Sequence, residues 1–137
     1  MEPLTESALA AAERRWEAHG SDSYHLVVRV RAPRTNPAVY DVVVAGGKVA
    51  STERDGRSVS PGETEDYSVS GLFRLLRRDL GLADVPHVRD TPPIDLRAQF
   101  EAETGRLVRY RRTVGTARRR VLLIEVLKYE PLARAGP

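Results

Sequence analysis

The spacing of apolar residues along the chain switches between two periods. Residues 5–19 place Leu9, Ala12 and Trp16 three and four apart, which draws one apolar stripe down a helix. Residues 69–80 do the same with Val69, Leu72, Phe73, Leu76 and Leu80. Elsewhere the period falls to two. In 23–31, Tyr24, Leu26, Val28 and Val30 alternate with His25, Val27, Arg29 and Arg31, as in a half-buried antiparallel strand. Residues 38–45 are apolar at both parities, and 48–53 form a thinner strand around Val49. Residues 96–103 set Leu96, Ala98, Phe100 and Ala102 against Arg97, Gln99, Glu101 and Glu103. Residues 106–114 return from that strand, and 120–129 form the most apolar run in the chain.

Turn residues separate these segments. Gly20 stops the first helix, Ser68 caps the second, and Gly81 is placed to end it. Gly46-Gly47 and Thr104-Gly105 each read as a hairpin turn. Residues 32–37, 55–66 and 115–119 read as loops, and 82–95 as a longer connection with three prolines. The order is helix, three strands, helix, three strands. It predicts an α+β fold: one twisted antiparallel sheet of about six strands with both helices on one face. A single domain over 1–137 is expected, with its core within about 5–130 and a flexible tail over 131–137. Trp16 is expected to anchor the first helix on the sheet. Residues 27, 42, 44, 122, 124 and 126 are expected to make the second sheet face apolar.

Composition narrows the functional classes. The chain has 137 residues, enough to bury a core unaided. It has no cysteine, which excludes disulfides, thiolate metal sites and cysteine nucleophiles. Residues 1–12 lack the basic and apolar regions of a signal peptide, and no apolar run spans a membrane. A cytoplasmic address is expected, with a processed exported chain as the alternative. The net charge is +3, carried by 20 arginines and only 2 lysines. Genome composition can produce that excess; so can a need to hold phosphate or carboxylate. Seven arginines, Arg106, Arg109, Arg111, Arg112, Arg118, Arg119 and Arg120, fall in one stretch without an acid. Alternation puts Arg109 and Arg111 on one face and Arg112 with Tyr110 on the other.

Several short stretches carry a resemblance. A Trp-bearing helix precedes Ser-Tyr in the first strand, and a valine-rich strand runs into Gly47-Lys48-Val49. Tyr67-Ser-Val-Ser-Gly-Leu-Phe73 opens the second helix, and Phe100-Glu-Ala-Glu-Thr-Gly105 turns into a basic strand. Over about residues 10–130 this resembles the bacterial domain of unknown function family 6174, small α+β domains often found in exported lipoproteins. Arg106 and Leu107 stand where that family usually has an aromatic and a proline, and the lipoprotein cysteine is absent. The resemblance implies a fold and assigns no activity.

Candidate chemistry is sparse. His19, His25 and His87 form no metal-ligand spacing and no nucleophile elbow, so structural roles are expected for them. Glu63, Glu65 and Asp66 lack the glycine and final glutamate of a calcium loop. Glu101 and Glu103 are expected to pair across the hairpin, and Arg74, Arg77 and Arg78 to form a solvated helix face. No catalytic residue, cofactor or metal site is assigned. The expectation is a non-enzymatic bacterial binding module. It would engage a protein partner, or a second copy of itself, through the open sheet face. The alternative is polyanion or nucleic-acid binding through the arginine-rich hairpin 106–120.

Overall fold

In the computed structural model, which describes residues 1–83 and 92–133, Thr5 opens the first helix. Its Oγ1 accepts the Ala8 N–H at 3.1 Å, so α1 spans Glu6–His19. Gly20 closes α1 by donating its N–H to Trp16 O at 2.8 Å. Its backbone is extended, not left-handed. A glycine is needed there for space, because a Cβ would collide with the Trp16 ring.

The second helix, α2, spans Val69–Ala83. Ser68 Oγ accepts the Gly71 N–H at 3.1 Å, as the sequence predicts. A second free donor of the first turn, the Val69 N–H, is taken by the Tyr24 hydroxyl at 2.9 Å. The expected stop at Gly81 is not observed. Gly81 does not adopt a positive φ, and the helix runs on to Ala83.

The strands are β1 (Glu2–Pro3), β2 (Tyr24–Arg31), β3 (Ala38–Ala45), β4 (Lys48–Arg54), β5 (Arg57–Ser58), β6 (Ile94–Phe100), β7 (Leu107–Val114) and β8 (Arg120–Pro131). They form one antiparallel sheet in the order β1-β6-β7-β8-β2-β3-β4-β5. The class is α+β as predicted, with eight strands where about six were expected. The two additional strands are the two-residue edges, too short to show a period. One of them carries Pro3, and both leave little edge for another chain to extend. The last strand, β8, pairs with both β7 and β2 and joins the two halves of the sheet.

Both helices cover one face, and the buried apolar residues form one cluster there. Leu9, Ala12, Leu72 and Leu76 meet Leu26, Val28, Val42, Tyr110 and Ile124, each at most 1% exposed. Trp16 packs edge-on to Tyr24 and Tyr129, with ring centroids 5.5 and 5.8 Å away, so it is the expected anchor. The expectation for the second face needs correction. Val42, Val44, Leu122 and Ile124 are buried under the helices, and Val126 packs against the same core. Of that set only Val27 lies opposite, paired with Asp41 and Lys128. In β3 both parities are apolar, and helix packing chose the one holding Tyr40, Val42 and Val44.

The first residues of the expected tail over 131–137 are paired with the sheet. Pro131 belongs to β8, and Leu132 donates its N–H to Ser23 O at 2.9 Å. Residues 134–137 and most of the 82–95 connection lie outside the described residues.

Candidate functional site

Whether an arginine can hold a ligand depends first on whether the protein already neutralises it. The basic face of α2 is neutralised. Arg74 bonds Asp66, Arg77 bonds both Glu6 and Glu13, and Arg78 reaches Glu65 at 3.4 Å. These pairs also explain Glu65 and Asp66, two of the four acids in residues 55–66.

The seven arginines of 106–120 separate into distinct surroundings. Arg106 lies at the β6–β7 turn, its guanidinium 5.2 Å from the Tyr129 ring centre, and burial lowers its pKa. Arg109 donates to Gln99 Oε1 at 3.2 Å. Arg112 lies on the helix side with Tyr110, as alternation predicts, and both donate to Oδ2 of buried Asp79, at 2.9 and 2.8 Å. Arg111, Arg118, Arg119 and Arg120 have no ion-pair partner among the described residues, and all four are exposed. Arg118, Arg119 and Arg120 gather at the β7–β8 hairpin end, a strand length or roughly 25 Å from Arg106, and Arg111 lies three residues in from that end.

On the uncovered face, strand register builds a row from Arg111 and from two arginines outside the predicted stretch. Arg97 on β6 stands opposite Arg111 on β7, and Arg111 stands opposite Leu123 on β8. On its other side, Leu123 stands opposite Arg31 on β2. Three guanidiniums therefore line one crossing of four adjacent strands. The first two start about 5 Å apart, and the third about 10 Å beyond Arg111. Like charges placed directly opposite repel. Asp95 offsets part of this from 3.3 Å off Arg97, but that pair is exposed and weak. The Glu125 carboxylate of the next row is held by Arg29 at 2.8 Å. Beside the row is a shallow groove of about 750 Å³ floored by Arg97, Arg111, Thr113 and Val121 and rimmed by Arg119.

Every aromatic side chain of the protein is packed on the helix side. The open face offers charge and hydrogen bonds without rings for stacking.

The carboxylates of the β6–β7 turn do not pair across the hairpin. β6 ends at Phe100, so Glu101 belongs to the turn. Its carboxylate accepts from Thr104 Oγ1 and N at 2.6 Å and from Glu103 N at 3.0 Å. These bonds, the Thr104 hydroxyl first, lower its pKa to about 2. His25 Nε2 stands 3.0 Å from Asp41 Oδ1 on the open sheet face. His87 lies outside the described residues.

Arg31 and Arg97 were missed as site residues. Their outward parity was legible, but the strand neighbours that align them with Arg111 were not. Among the described residues, no helix is long and apolar enough to cross a membrane. Neither a protein-family model nor a curated protein sequence matches the chain.

Proposed function

We propose that this chain binds a phosphate-rich polyanion across its uncovered sheet face, by charge and without catalysis. The observation that carries this reading is the row of Arg97, Arg111 and Arg31 on β6, β7 and β2, with Arg119, which has no ion-pair partner among the described residues, beside it. An anion lying along the row relieves the repulsion between Arg97 and Arg111 and meets planar donors suited to phosphate oxygens. Without aromatic platforms, affinity comes from the backbone charge and is indifferent to base sequence.

The test is fluorescence anisotropy with labelled single-stranded and duplex oligonucleotides at two salt concentrations. Three engaged arginines give a slope of log affinity on log salt of about −2 to −3. The double variant R97Q/R111Q weakens binding about tenfold or more. R74Q, whose arginine is already paired on the opposite side, leaves it unchanged. Absence of binding at low salt, or equal binding by R97Q/R111Q, refutes the reading.

A second reading, docking of a partner or a second copy on the same face, draws support from the other half of the sheet. There Val27, Val39 and Val43 are half-buried but uncovered by the described residues, and Leu127 on β8 is 49% exposed. Sedimentation velocity distinguishes self-association. A dimer that V27D/V43D dissociates supports it, and a monomer across concentrations removes it.

A further inference from the structure

On the helix side of the sheet, α2 is described as far as Ala83. Beyond its last described turn, the helix-facing residues of β6, β7 and β8 floor a separate cleft of about 370 Å³. The loop between β2 and β3 walls it with Pro33 and Arg34. The size falls in the range that takes a small organic ligand.

The cleft has two chemically different parts. Its apolar part is Leu82 from α2 with Ile94, Val114 and Leu122 from three adjacent strands. Register confirms the floor, since Ile94 pairs with Val114 and Leu122 with Arg112. Its polar part holds Arg34, Arg112 and Arg120 around Asp79. Arg112 is committed to Asp79 at 2.9 Å, and Tyr110 fixes the same oxygen. Among the described residues, Arg34 and Arg120 have no carboxylate partner, and both stand beside the apolar wall.

Arg34 has a further peculiarity. Its φ is 62°, in the left-handed region that side chains other than glycine, asparagine and aspartate enter at a cost. A glycine would be the economical choice in that loop. An arginine there puts a guanidinium at the rim of the cleft, and backbone strain of this kind concentrates at binding sites.

We infer that this cleft binds a small amphipathic anion, with an apolar body against Leu82, Ile94, Val114 and Leu122 and an anionic head between Arg34 and Arg120. The site is independent of the polyanion face. Arg111 and Arg119 lie across the sheet from it, and Ile94 is the one residue that lines both.

The test is calorimetric titration of the full chain with octanoate, octyl phosphate and octanol. The two anions bind and the alcohol binds at least about tenfold more weakly, since charge-assisted bonds to arginine are lost. Comparing the anions tells whether carboxylate or phosphate is preferred. R34G removes the guanidinium while suiting the positive φ, so its fold is kept. R34G and R120Q each weaken the anions about tenfold, whereas R111Q/R119Q changes them less than twofold. If R111Q/R119Q loses the oligonucleotides yet keeps octanoate, the two sites are separate. Failure of both anions to bind, equal binding of octanol, or indifference of the anions to R34G and R120Q overturns the inference.

Discussion

Tyr110 donates its hydroxyl to Asp79 Oδ2 at 2.8 Å, and the two residues are 0% and 2% exposed. This contact joins α2 to β7 inside the core. It is completed by Arg112, two-thirds buried, on the same oxygen. A buried carboxylate is tolerated only with such partners.

Removing the partners therefore exposes the cost of the charge. Tyr110→Phe leaves Arg112 in place and should cost about 1.5–3 kcal/mol. Arg112→Gln takes away the only cation within hydrogen-bonding distance of Asp79 among the described residues. It should cost about 3 kcal/mol, the low end for a broken buried pair because Arg112 is partly solvated. Asp79→Asn keeps an acceptor for Tyr110 and should be the mildest of the three. Urea denaturation with an unchanged m-value measures the order. A Tyr110→Phe protein as stable as the parent would show that the hydroxyl contributes nothing.

Stability should fall at both ends of the pH scale, for different groups. Glu101 is held at about 2 by its turn bonds, against an ordinary 4.5. As pH drops through that window, the unfolded chain takes up this proton before the folded one does, so stability is lost. Glu101→Gln should flatten the acid limb of the melting-temperature profile. Burial pushes Tyr24 and Tyr67 up to about 12 from 10, and burial together with Asp79 raises Tyr110 as well. Their stabilising effect is complete below the ordinary value of 10 and is lost as pH rises from there through about 12. Phenolate absorbance should consequently rise together with loss of near-ultraviolet circular dichroism. Ionisation of these tyrosines well before unfolding would contradict the burial argument.

The two kinds of turn glycine should respond differently to alanine. Gly105 has φ of 80°, and a Cβ there would collide with Ala12 O, pressing the β6–β7 turn into α1. Gly105→Ala should cost more than about 2 kcal/mol, combining left-handed strain with overpacking. Gly47 has φ of 79° but open space within 4 Å of where an alanine methyl would sit, so Gly47→Ala should cost about 1–2 kcal/mol. Thermal unfolding of the two variants compares them directly, and equal losses would mean that the contact with α1 yields freely.

The periods in the sequence carried most of the fold. The Leu9, Ala12, Trp16 stripe and the Val69-to-Leu80 stripe each became the buried side of a helix, and the six long strands lie within a few residues of their predicted spans. What the sequence could not show was adjacency. Alternation in β8 does not say that β2 is its neighbour, so nothing in the order of residues aligns Arg31 with Arg111. It also does not say which parity faces inward when both are apolar, which is why Val42 and Val44 were expected on the wrong side. Asp79 follows Arg77 and Arg78 in α2. Its burial is decided by Tyr110 and Arg112, which arrive from another element.

The pairing of β8 with β2 also has a consequence for how the chain reaches its native state. These strands are distant in sequence, as the 96-residue separation between Arg29 and Glu125 shows. Closing so long a loop is slow compared with forming the local hairpins. During synthesis the first helix and its three-stranded meander emerge well before β8, with the inner edge of β2 still unpaired. That edge is a template for other chains until the last strand docks. The sheet's central seam is thus the last part of it to leave the ribosome, and a nascent chain stalled before residue 120 would present β2 to its neighbours.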